Sequence, residues 1–276
     1  MDDNYFSRSY RGEARRLVKA LAELYPELSY DALMRLFRKK DISVNGKSAA
    51  PETIISKGDN VSLYLRPAEI KLKEIYSDGN ILILYKNKGV VSEGEYSFEG
   101  LIKYKYGADV RLTHRLDTNT DGLLIFAYGE AVYRAVYDAM RDKNIEKYYY
   151  ARVHGRVADK EKTLRGYLSK DSEKGVVRIY DRPTKGAEYV EMYFKTLSYS
   201  DGASLLDVKL LGGKTHQIRA QLAHYGHFIL GDGKYGNDTI NRRYRCKKQL
   251  LTAYKIVFNT GNSEQLAYLN GKSFEV

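Results

Sequence analysis

The 276-residue sequence has a single cysteine, Cys246, no tryptophan and only four prolines. One cysteine cannot form an intramolecular disulfide, and its isolation excludes a cysteine-rich zinc site. No apolar run approaches the roughly 20 residues that a helix needs to cross a bilayer. Residues 1–16 are polar and lack the apolar core of a signal peptide. We therefore expect a protein of the reducing cytoplasm without a membrane anchor.

Acidic residues are outnumbered in this chain. There are 46 Lys and Arg residues against 35 Asp and Glu, which gives a formal net charge of +11. An excess of positive charge favours a polyanionic partner, most simply nucleic acid or an anionic membrane surface. Tyrosine is abundant, with 26 residues, and some of these rings are suited to stacking on bases. Without a membrane segment, the composition favours nucleic acid.

Residues 12–66 have the pattern of a small unit that begins with two helices. Three leucines at helical spacing predict the first helix: Leu17, Leu21 and Leu24. The second helix is predicted after Ser29, a suitable N-cap residue, with Asp31 in its first turn. The dipeptide Asn45-Gly46 that follows is the strongest short signal for a β-hairpin.

The second of these helices has its apolar residues on one face and three basic residues largely on the other: Arg35, Arg38 and Lys39. Taken alone, such a face is most often a solvated surface. The whole unit, however, resembles the RNA-binding domain first recognised in a small-subunit ribosomal protein, although Arg16-Leu17-Val18 replaces its Arg-Leu-Asp. This resemblance implies that the three basic residues bind RNA. We place the boundary at Arg66-Pro67, which gives domains of residues 1–67 and 68–276.

The second domain contains several short strand patterns and few helices. Strands are predicted at Ile81–Tyr85, Lys147–Val157, Glu188–Leu197 and Ser204–Leu210, and helices at Gly129–Met140 and Thr215–Gly226. Sparse proline and many strands favour an α+β domain with a largely antiparallel mixed sheet and flanking helices.

A polar run from His114 to Asp121 passes at Gly122 into a continuous apolar segment. The apolar part predicts a buried strand, and the polar part predicts the loop that leads into it. Most aspartates in such loops only bind their own backbone, but Asp117 beside a firm strand is also what a catalytic carboxylate requires. The loop matches the first half of a calcium-binding EF-hand loop as well. Its twelfth position is Tyr128 and a strand follows, so we expect no metal.

Three sequence blocks carry a resemblance to a known family. The first is His114-Arg-Leu-Asp-x-x-Thr-x-Gly-Leu-Leu, the second is Lys147-x-Tyr-x-Ala-x-Val-x-Gly, and the third runs from Gly213 to Gly236 and contains Gln217-Ile-Arg. Together and in this order they resemble the RluA-type pseudouridine synthases. The resemblance implies an isomerase that converts uridine to pseudouridine in structured RNA, either ribosomal or transfer RNA.

The same resemblance implies roles for individual residues. Asp117 would be the nucleophile, Arg219 its cationic partner, and Tyr149 the ring that stacks on the target base and is a candidate for handling the C5 proton. Arg115 would fill the space of the uridine that is flipped out of the RNA. His114 would either contact RNA or brace the loop.

Chemistry and spacing narrow the remaining possibilities. Pseudouridine formation oxidises nothing and releases no group, so we expect no cofactor and no metal. Gly213-Lys214-Thr215 resembles the end of a P-loop, but Val208 stands where the first glycine is required. We therefore assign Lys214 to RNA binding rather than to a nucleotide. A non-catalytic RNA-binding or ribosome-assembly factor is the alternative, and we expect a monomer in either case.

The chain departs from the family pattern near these residues. Asp121 stands where serine is usual, Thr252 replaces a histidine in a Leu-x-Ala segment, and Gln221 stands where histidine is common. None of these departures removes a predicted catalytic group, so they bear on specificity rather than on reaction class.

Overall fold

The computed structural model describes residues 5–25, 28, 30–64, 72–94, 97–171 and 175–276. The chain divides into two compact units, of which the first comprises Met1–Leu72 with Gly89–Ala108 and the second Lys73–Lys88 with Asp109–Val276. The predicted boundary at Arg66-Pro67 and the predicted N-cap Ser29 lie outside the described residues.

The first unit combines short strands with three helices among its described residues. Its elements are β1 (Tyr5–Ser9), β2 (Arg15–Arg16), α1 (Leu17–Leu24), α2 (Tyr30–Arg38), β3 (Ile42–Val44), β4 (Lys47–Ser48), β5 (Ile54–Ile55), β6 (Asn60–Tyr64) and α3 (Phe98–Tyr106). In the described ranges, β1-β6-β3-β4 form one antiparallel sheet and β2-β5 another. The predicted hairpin is confirmed, since Asn45 and Gly46 connect β3 to β4 with φ angles of 51° and 77°.

Both helices that the sequence predicts in this unit are present. On α1, Leu17 and Leu21 are fully buried in a core that also contains Leu33 from α2. The three basic residues of α2 and its C-terminus are all exposed: Arg35, Arg38 and Lys39. The amphipathic pattern therefore places apolar side chains in the core and leaves the cations at the surface.

The second unit is built on one large sheet. Its elements are β7 (Lys73–Ser77), β8 (Ile81–Lys86), β9 (Val110–Leu112), β10 (Asp121–Tyr128), α4 (Gly129–Arg141), β11 (Ile145–His154), β12 (Glu161–Asp171), β13 (Val176–Tyr180), β14 (Glu188–Ser200), β15 (Ala203–Leu210), α5 (Gln217–His224), α6 (Asp238–Arg243), β16 (Leu251–Phe258) and β17 (Ser273–Glu275). Among the described residues the strand order is β13-β12-β14-β15-β11-β16-β10-β8-β7, with β17 beside β16 and β9 beside β10. Only the β10–β16 pairing within these residues is parallel. The predicted α+β class with a largely antiparallel sheet is thus confirmed.

Helix α5 begins two residues later than the sequence predicts. His216 has a φ of 55°, which is left-handed and cannot continue a right-handed helix, so the first helical residue is Gln217. The helix packs on β12, β13 and β14 through Ala220, which shares a core cluster with Leu168 and Val190. This packing fixes Arg219, the neighbour of Ala220, relative to the sheet.

Within the described residues, no helix combines the length and apolar character needed to span a membrane.

Candidate active site

The loop of residues 113–120 connects β9 to β10, and its first two residues are bound to β10. We call it the catalytic loop because the sequence predicts Asp117 as a catalytic residue. The backbone and hydroxyl of Thr113 both donate to the carbonyl of Ile125, at 3.1 and 2.9 Å. The imidazole of His114 accepts a hydrogen bond from the backbone N–H of Ile125 at 3.2 Å. Farther along, the Thr120 N–H donates to the Asp117 carbonyl at 2.9 Å. The loop therefore has a defined shape around Asp117.

A buried lysine lies beneath this loop. Lys86, at the end of β8, is fully buried, and its ammonium lies 3.3 Å from the carbonyl oxygens of both Asp117 and Thr118. Burial lowers the pKa of Lys86 to about 8, while the negative charges of Asp121 and Asp117 oppose that shift. A cation buried at this cost holds two successive carbonyls of the catalytic loop in place.

Register places a glycine, an alanine and a tyrosine at one level of the sheet. Gly122 on β10 is opposite Ala253 on β16, and Ala253 is opposite Tyr149 on β11. A Cβ atom at Gly122 would lie 2.1 Å from the Ala253 carbonyl oxygen, and the φ of 123° also requires glycine. The absence of a side chain at Gly122 lets the two strands approach, and this brings Tyr149 close to the catalytic loop.

Arg219 joins two carboxylates. One terminal nitrogen donates to Oδ2 of Asp117 at 2.7 Å, and Nε and the other terminal nitrogen donate to the two oxygens of Asp232 at 2.6 and 2.8 Å. Arg219 is only 6% exposed and Asp232 1% exposed, so the bidentate pair is shielded from water. The side chain of Asp117 is 19% exposed, so of the three charged groups it is the one most accessible to solvent.

The electrostatics of this arrangement keep Asp232 and Arg219 charged. Burial would raise the pKa of Asp232, but hydrogen bonds from Arg219 and from the backbone of Lys234 and Tyr235 lower it overall. For Arg219, burial acts to lower the pKa, but the hydrogen bonds and negative charges of Asp232 and Asp117 raise it overall. A single planar guanidinium thus orients Asp117 while its own position is fixed by Asp232.

His216 lies beside this pair. Its Nε2 is 3.9 Å from Asp117 Oδ2, and its Nδ1 is 2.9 Å from the hydroxyl of Tyr235. Burial lowers the pKa of His216, although Asp117 opposes that shift. A neutral imidazole at neutral pH leaves Arg219 as the cation in contact with Asp117.

Tyr149 is 5% exposed, and the hydrogen bonds of its strand fix it between β15 and β16. Burial raises the pKa of the Tyr149 phenol, and the charge of Asp117 raises it further. With this raised pKa, Tyr149 is a neutral phenol at physiological pH. The neighbouring tyrosines have other partners: Tyr148 donates to Glu146 at 2.6 Å, and Tyr150 stacks on Tyr254 with ring centroids 3.7 Å apart.

Lys147, two residues before Tyr149, is a second lysine with a lowered pKa. Burial lowers that pKa to about 8, and the ammonium approaches Gly213, where a Cβ atom would lie 3.4 Å from it. Burial of His114, together with the positive charge of Lys147, lowers the pKa of His114 to about 3. Of the two roles considered for His114, bracing the loop is the one that these contacts support.

The departures at positions 121 and 252 contact each other. The hydroxyl of Thr252 donates to one oxygen of Asp121 at 2.7 Å, and Tyr85 donates to the other at 2.7 Å. The ammonium of Lys88 lies 3.6 Å from the same carboxylate. Asp121 therefore links β8, β10 and β16 directly after the catalytic loop, and two substitutions that look independent in the sequence form one contact.

The predicted RNA-binding residues have different surroundings. Arg115 is exposed, and Lys214 forms an ion pair with Glu188. Arg35, Arg38 and Lys39 belong to the first unit, and their role stays a prediction. The sequence indicated no role for Lys86 or Lys147 and no pairing of Arg219 with Asp232. Lys147, Arg219 and Asp232 could have been found from their positions in the second and third blocks, whereas Lys86 lies in none of the three.

Comparisons with known proteins identify the family of the chain. The sequence profile of the RNA pseudouridylate synthase family matches residues 80–224. The ribosomal large subunit pseudouridine synthase C of Rickettsia bellii is 30% identical over 255 residues, covering 82% of this chain and 84% of that protein. The enzyme of the same name from Buchnera aphidicola is 27% identical and covers 92% of this chain and 89% of its own length.

A similar fold occurs in a solved structure, human RNA pseudouridylate synthase domain containing 1. Its TM-score is 0.60 at 23% identity, and the match covers 70% of this chain and 80% of that one. At this identity the likeness concerns the fold alone.

Proposed function

The chain belongs to the RNA pseudouridylate synthase family, an isomerase family, and on that premise we propose that it acts on uridine in ribosomal RNA with Asp117 as the nucleophile. The observation that carries the proposal is the contact of 2.7 Å between Asp117 and Arg219, two residues that are 102 positions apart in sequence. The fold assembles the carboxylate and its cation, which is what the chemistry requires.

The reaction exchanges one bond for another within a single nucleotide. The N1–C1′ bond of uridine breaks, the C5–C1′ bond forms, C5 loses a proton and N1 gains one, so the composition is unchanged. An aspartate is ionised at neutral pH and needs positioning rather than an activating base. Arg219 supplies that positioning, because its other donors are fixed on buried Asp232.

Tyr149 is assigned to the target base. A neutral, buried phenol offers a flat apolar face on which a flipped-out uracil can stack. Because its pKa is raised, Tyr149 does not act as a free phenolate at neutral pH. If it handles the C5 proton, it does so as a protonated group within a relay. Arg115, exposed on the catalytic loop, is assigned to the space that the flipped nucleotide leaves.

The first unit is assigned to RNA binding. Its two helices and Asn-Gly hairpin are the elements of the ribosomal-protein-type domain that the sequence resembles, and its exposed cations Arg35, Arg38 and Lys39 are the proposed RNA contacts. Ribosomal rather than transfer RNA is proposed as substrate because the relatives named above are ribosomal large subunit synthases. The domain boundary proposed for the full chain is residue 67.

The test is release of tritium from RNA labelled at uridine C5, with separate pools of ribosomal and transfer RNA. We expect release from ribosomal RNA by the wild type, and a loss of roughly 10⁴-fold in Asp117→Ala, as is typical when a nucleophile is removed. Asp109→Ala is the matched control, because Asp109 is an exposed acid outside the site. Equal tritium release by wild type and Asp117→Ala would refute the assignment of Asp117 as the nucleophile. Release from transfer RNA alone would refute ribosomal RNA as the substrate.

A further inference from the structure

A basic segment directly precedes β16 and has no part in the site described above. Residues 242–248 contain five cations and no acid: Arg242, Arg243, Arg245, Lys247 and Lys248. All five are exposed, and in the described parts of the chain no ion pair joins any of them to a carboxylate. Charged side chains elsewhere in this unit are commonly paired, as Lys209 is with Glu146. The segment thus concentrates positive charge at the surface.

The start of the segment is fixed to the active-site scaffold. Asn241 is buried; its side-chain oxygen accepts from the N–H of Gly231 at 2.8 Å, and its nitrogen donates to the carbonyl of Asp232 at 3.1 Å. Asp232 is the residue that holds Arg219. Gly231 packs so closely on the segment that a Cβ atom there would lie 2.2 Å from the Lys248 carbonyl oxygen.

The end of the segment is fixed to the catalytic loop itself. Gln249, the next residue, is buried and donates to the hydroxyl of Thr120 at 2.5 Å. The ammonium of Lys248 donates to the carbonyl of Lys88 at 3.3 Å. Both ends are therefore attached to residues that bind Arg219 or the loop of Asp117, so the backbone that carries the remaining cations is anchored to the scaffold of the site.

Beside the segment is an open cavity of about 540 Å³ that is lined in part by aromatic rings. Its lining includes Arg243 and Tyr244 of the segment together with His154, Tyr199 and Asp201. The Tyr244 ring meets His154 edge-on at 6.4 Å, and its hydroxyl donates to the Asp201 carbonyl at 2.9 Å. Tyr199 is 48% exposed, with the guanidinium of Arg156 5.4 Å from its ring centroid, so this ring is partly accessible for stacking.

The cavity lining carries charges of both signs. Asp201 and Arg243 both line it, and Arg152 lies 3.7 Å from the largely exposed Asp201 carboxylate. Arg242, Arg245 and Lys247, exposed cations without an ion pair among the described residues, adjoin Arg243 along the chain and attract phosphate. Aromatic rings beside a run of exposed cations fit the bases and the backbone of single-stranded RNA.

We propose that Arg242, Arg243, Arg245 and Lys247 bind the backbone of the substrate RNA that carries the target uridine, and that the adjoining cavity accepts an unpaired base of the same strand on Tyr199. The proposal rests on the proposed function, because it takes the polyanion to be the substrate of Asp117. It adds a second point of contact that fixes the RNA strand along the surface.

The first experiment measures binding of a fluorescein-labelled 30-nucleotide oligouridylate over a range of salt concentrations. The variant Arg242→Gln/Arg243→Gln/Arg245→Gln is compared with a matched triple, Lys160→Gln/Lys195→Gln/Lys272→Gln, which also removes three exposed cations. Each phosphate contact on a single strand contributes about 0.7 to the slope of log K against log salt. We expect the segment variant to lower that slope by about 2 and to weaken binding at least about tenfold at low salt, and the matched triple to leave both near wild type. Equal losses in the two triples would overturn the proposal.

The second experiment tests the cavity with the same RNA. Tyr199→Ala should weaken binding roughly tenfold, while Tyr199→Phe should bind like the wild type because the ring remains. Equal binding by Tyr199→Ala and wild type would refute the base site.

All of these variants are made in an Asp117→Ala background, so binding is measured without turnover, and tritium release is scored separately with Asp117 intact. A normal salt slope in the segment variant with full tritium release refutes this proposal alone. A lowered slope without release from any wild-type sample refutes the proposed function alone.

Discussion

The catalytic loop and the basic segment, residues 242–248, differ in whether their charged groups are paired within the fold. Near Asp117 two buried cations have partners within the fold: Arg219 is bound to two carboxylates, and Lys86 to backbone carbonyls. In residues 242–248 five cations are exposed, and among the described residues no carboxylate is paired with any of them. A reacting carboxylate needs a fixed geometry, whereas attraction of a polyanion needs uncompensated positive charge. Asn241 and Gln249 connect the two regions, so one scaffold provides both.

The largest expected effect comes from Asp232→Asn, which disturbs the charge balance at the loop. The substitution leaves Arg219 buried beside a neutral partner, and breaking a buried ion pair in this way costs about 3–5 kcal/mol of stability. Arg219 then turns toward Asp117 as its only carboxylate, and we expect kcat to fall by about 100-fold with little change in KM. Urea unfolding and tritium release measure the two effects.

The control for Asp232→Asn is Asp181→Asn, which removes an exposed carboxylate that contacts His224. We expect it to change stability by less than about 0.5 kcal/mol. If Asp232→Asn keeps the wild-type kcat at conditions where it is folded, Asp232 does not position the catalytic pair.

Lys86→Met should alter how stability depends on pH. The folded pKa of Lys86 is about 8, below its ordinary value of 10.5, so between these values the unfolded chain binds more protons. Wild-type stability from this group therefore rises with pH from about 8 to 10.5, by about 3 kcal/mol in total. The methionine variant lacks that increase.

The measurement for Lys86 is urea unfolding of both proteins at pH 7, 8, 9 and 10. The difference in unfolding free energy, wild type minus variant, should grow with pH in this window. Lys73→Met, an exposed lysine on β7, is the control and should show a constant difference. A constant difference for Lys86→Met as well would mean that its burial does not disfavour the charged ammonium.

A smaller effect is expected from the contact between Asp121 and Thr252. A hydrogen bond to a charged acceptor contributes about 1.5–3 kcal/mol, and the partial exposure of Asp121 lowers that figure. We expect a coupling energy of about 1 kcal/mol in a double-mutant cycle of Asp121→Ala and Thr252→Ala, measured by urea unfolding. A cycle of Tyr193→Phe with Thr252→Ala joins two residues whose side chains bind different carboxylates, Glu161 and Asp121, and should give no coupling energy. Additive effects of Asp121→Ala and Thr252→Ala would show that these two departures are independent.

The sequence predicted the class of the fold and most elements of the second unit, because strand and helix periodicities there are strong. Helix α5 was predicted to begin near Thr215 and begins at Gln217, because the backbone of His216 is left-handed and no local pattern in the sequence indicates this. The blocks suggested Asp117 and Arg219 as partners only through the family resemblance. The pairing of Arg219 with Asp232 and the position of Lys86 under the loop depend on packing between distant strands. Periodicity carries no information about such contacts.

The smallest expected change in stability comes from the basic segment itself. Arg242, Arg243 and Arg245 are exposed, so replacing all three by glutamine should change the free energy of unfolding by less than about 0.5 kcal/mol. Asn241→Ala, by contrast, removes two buried hydrogen bonds to Gly231 and Asp232 and should cost about 1–3 kcal/mol. Urea unfolding of the two variants separates the charges of the segment from its anchor. A loss of unfolding free energy above about 1 kcal/mol in the triple variant would mean that these arginines stabilise the fold. The contrast between paired charges at the loop and unpaired charges in the segment would then be wrong.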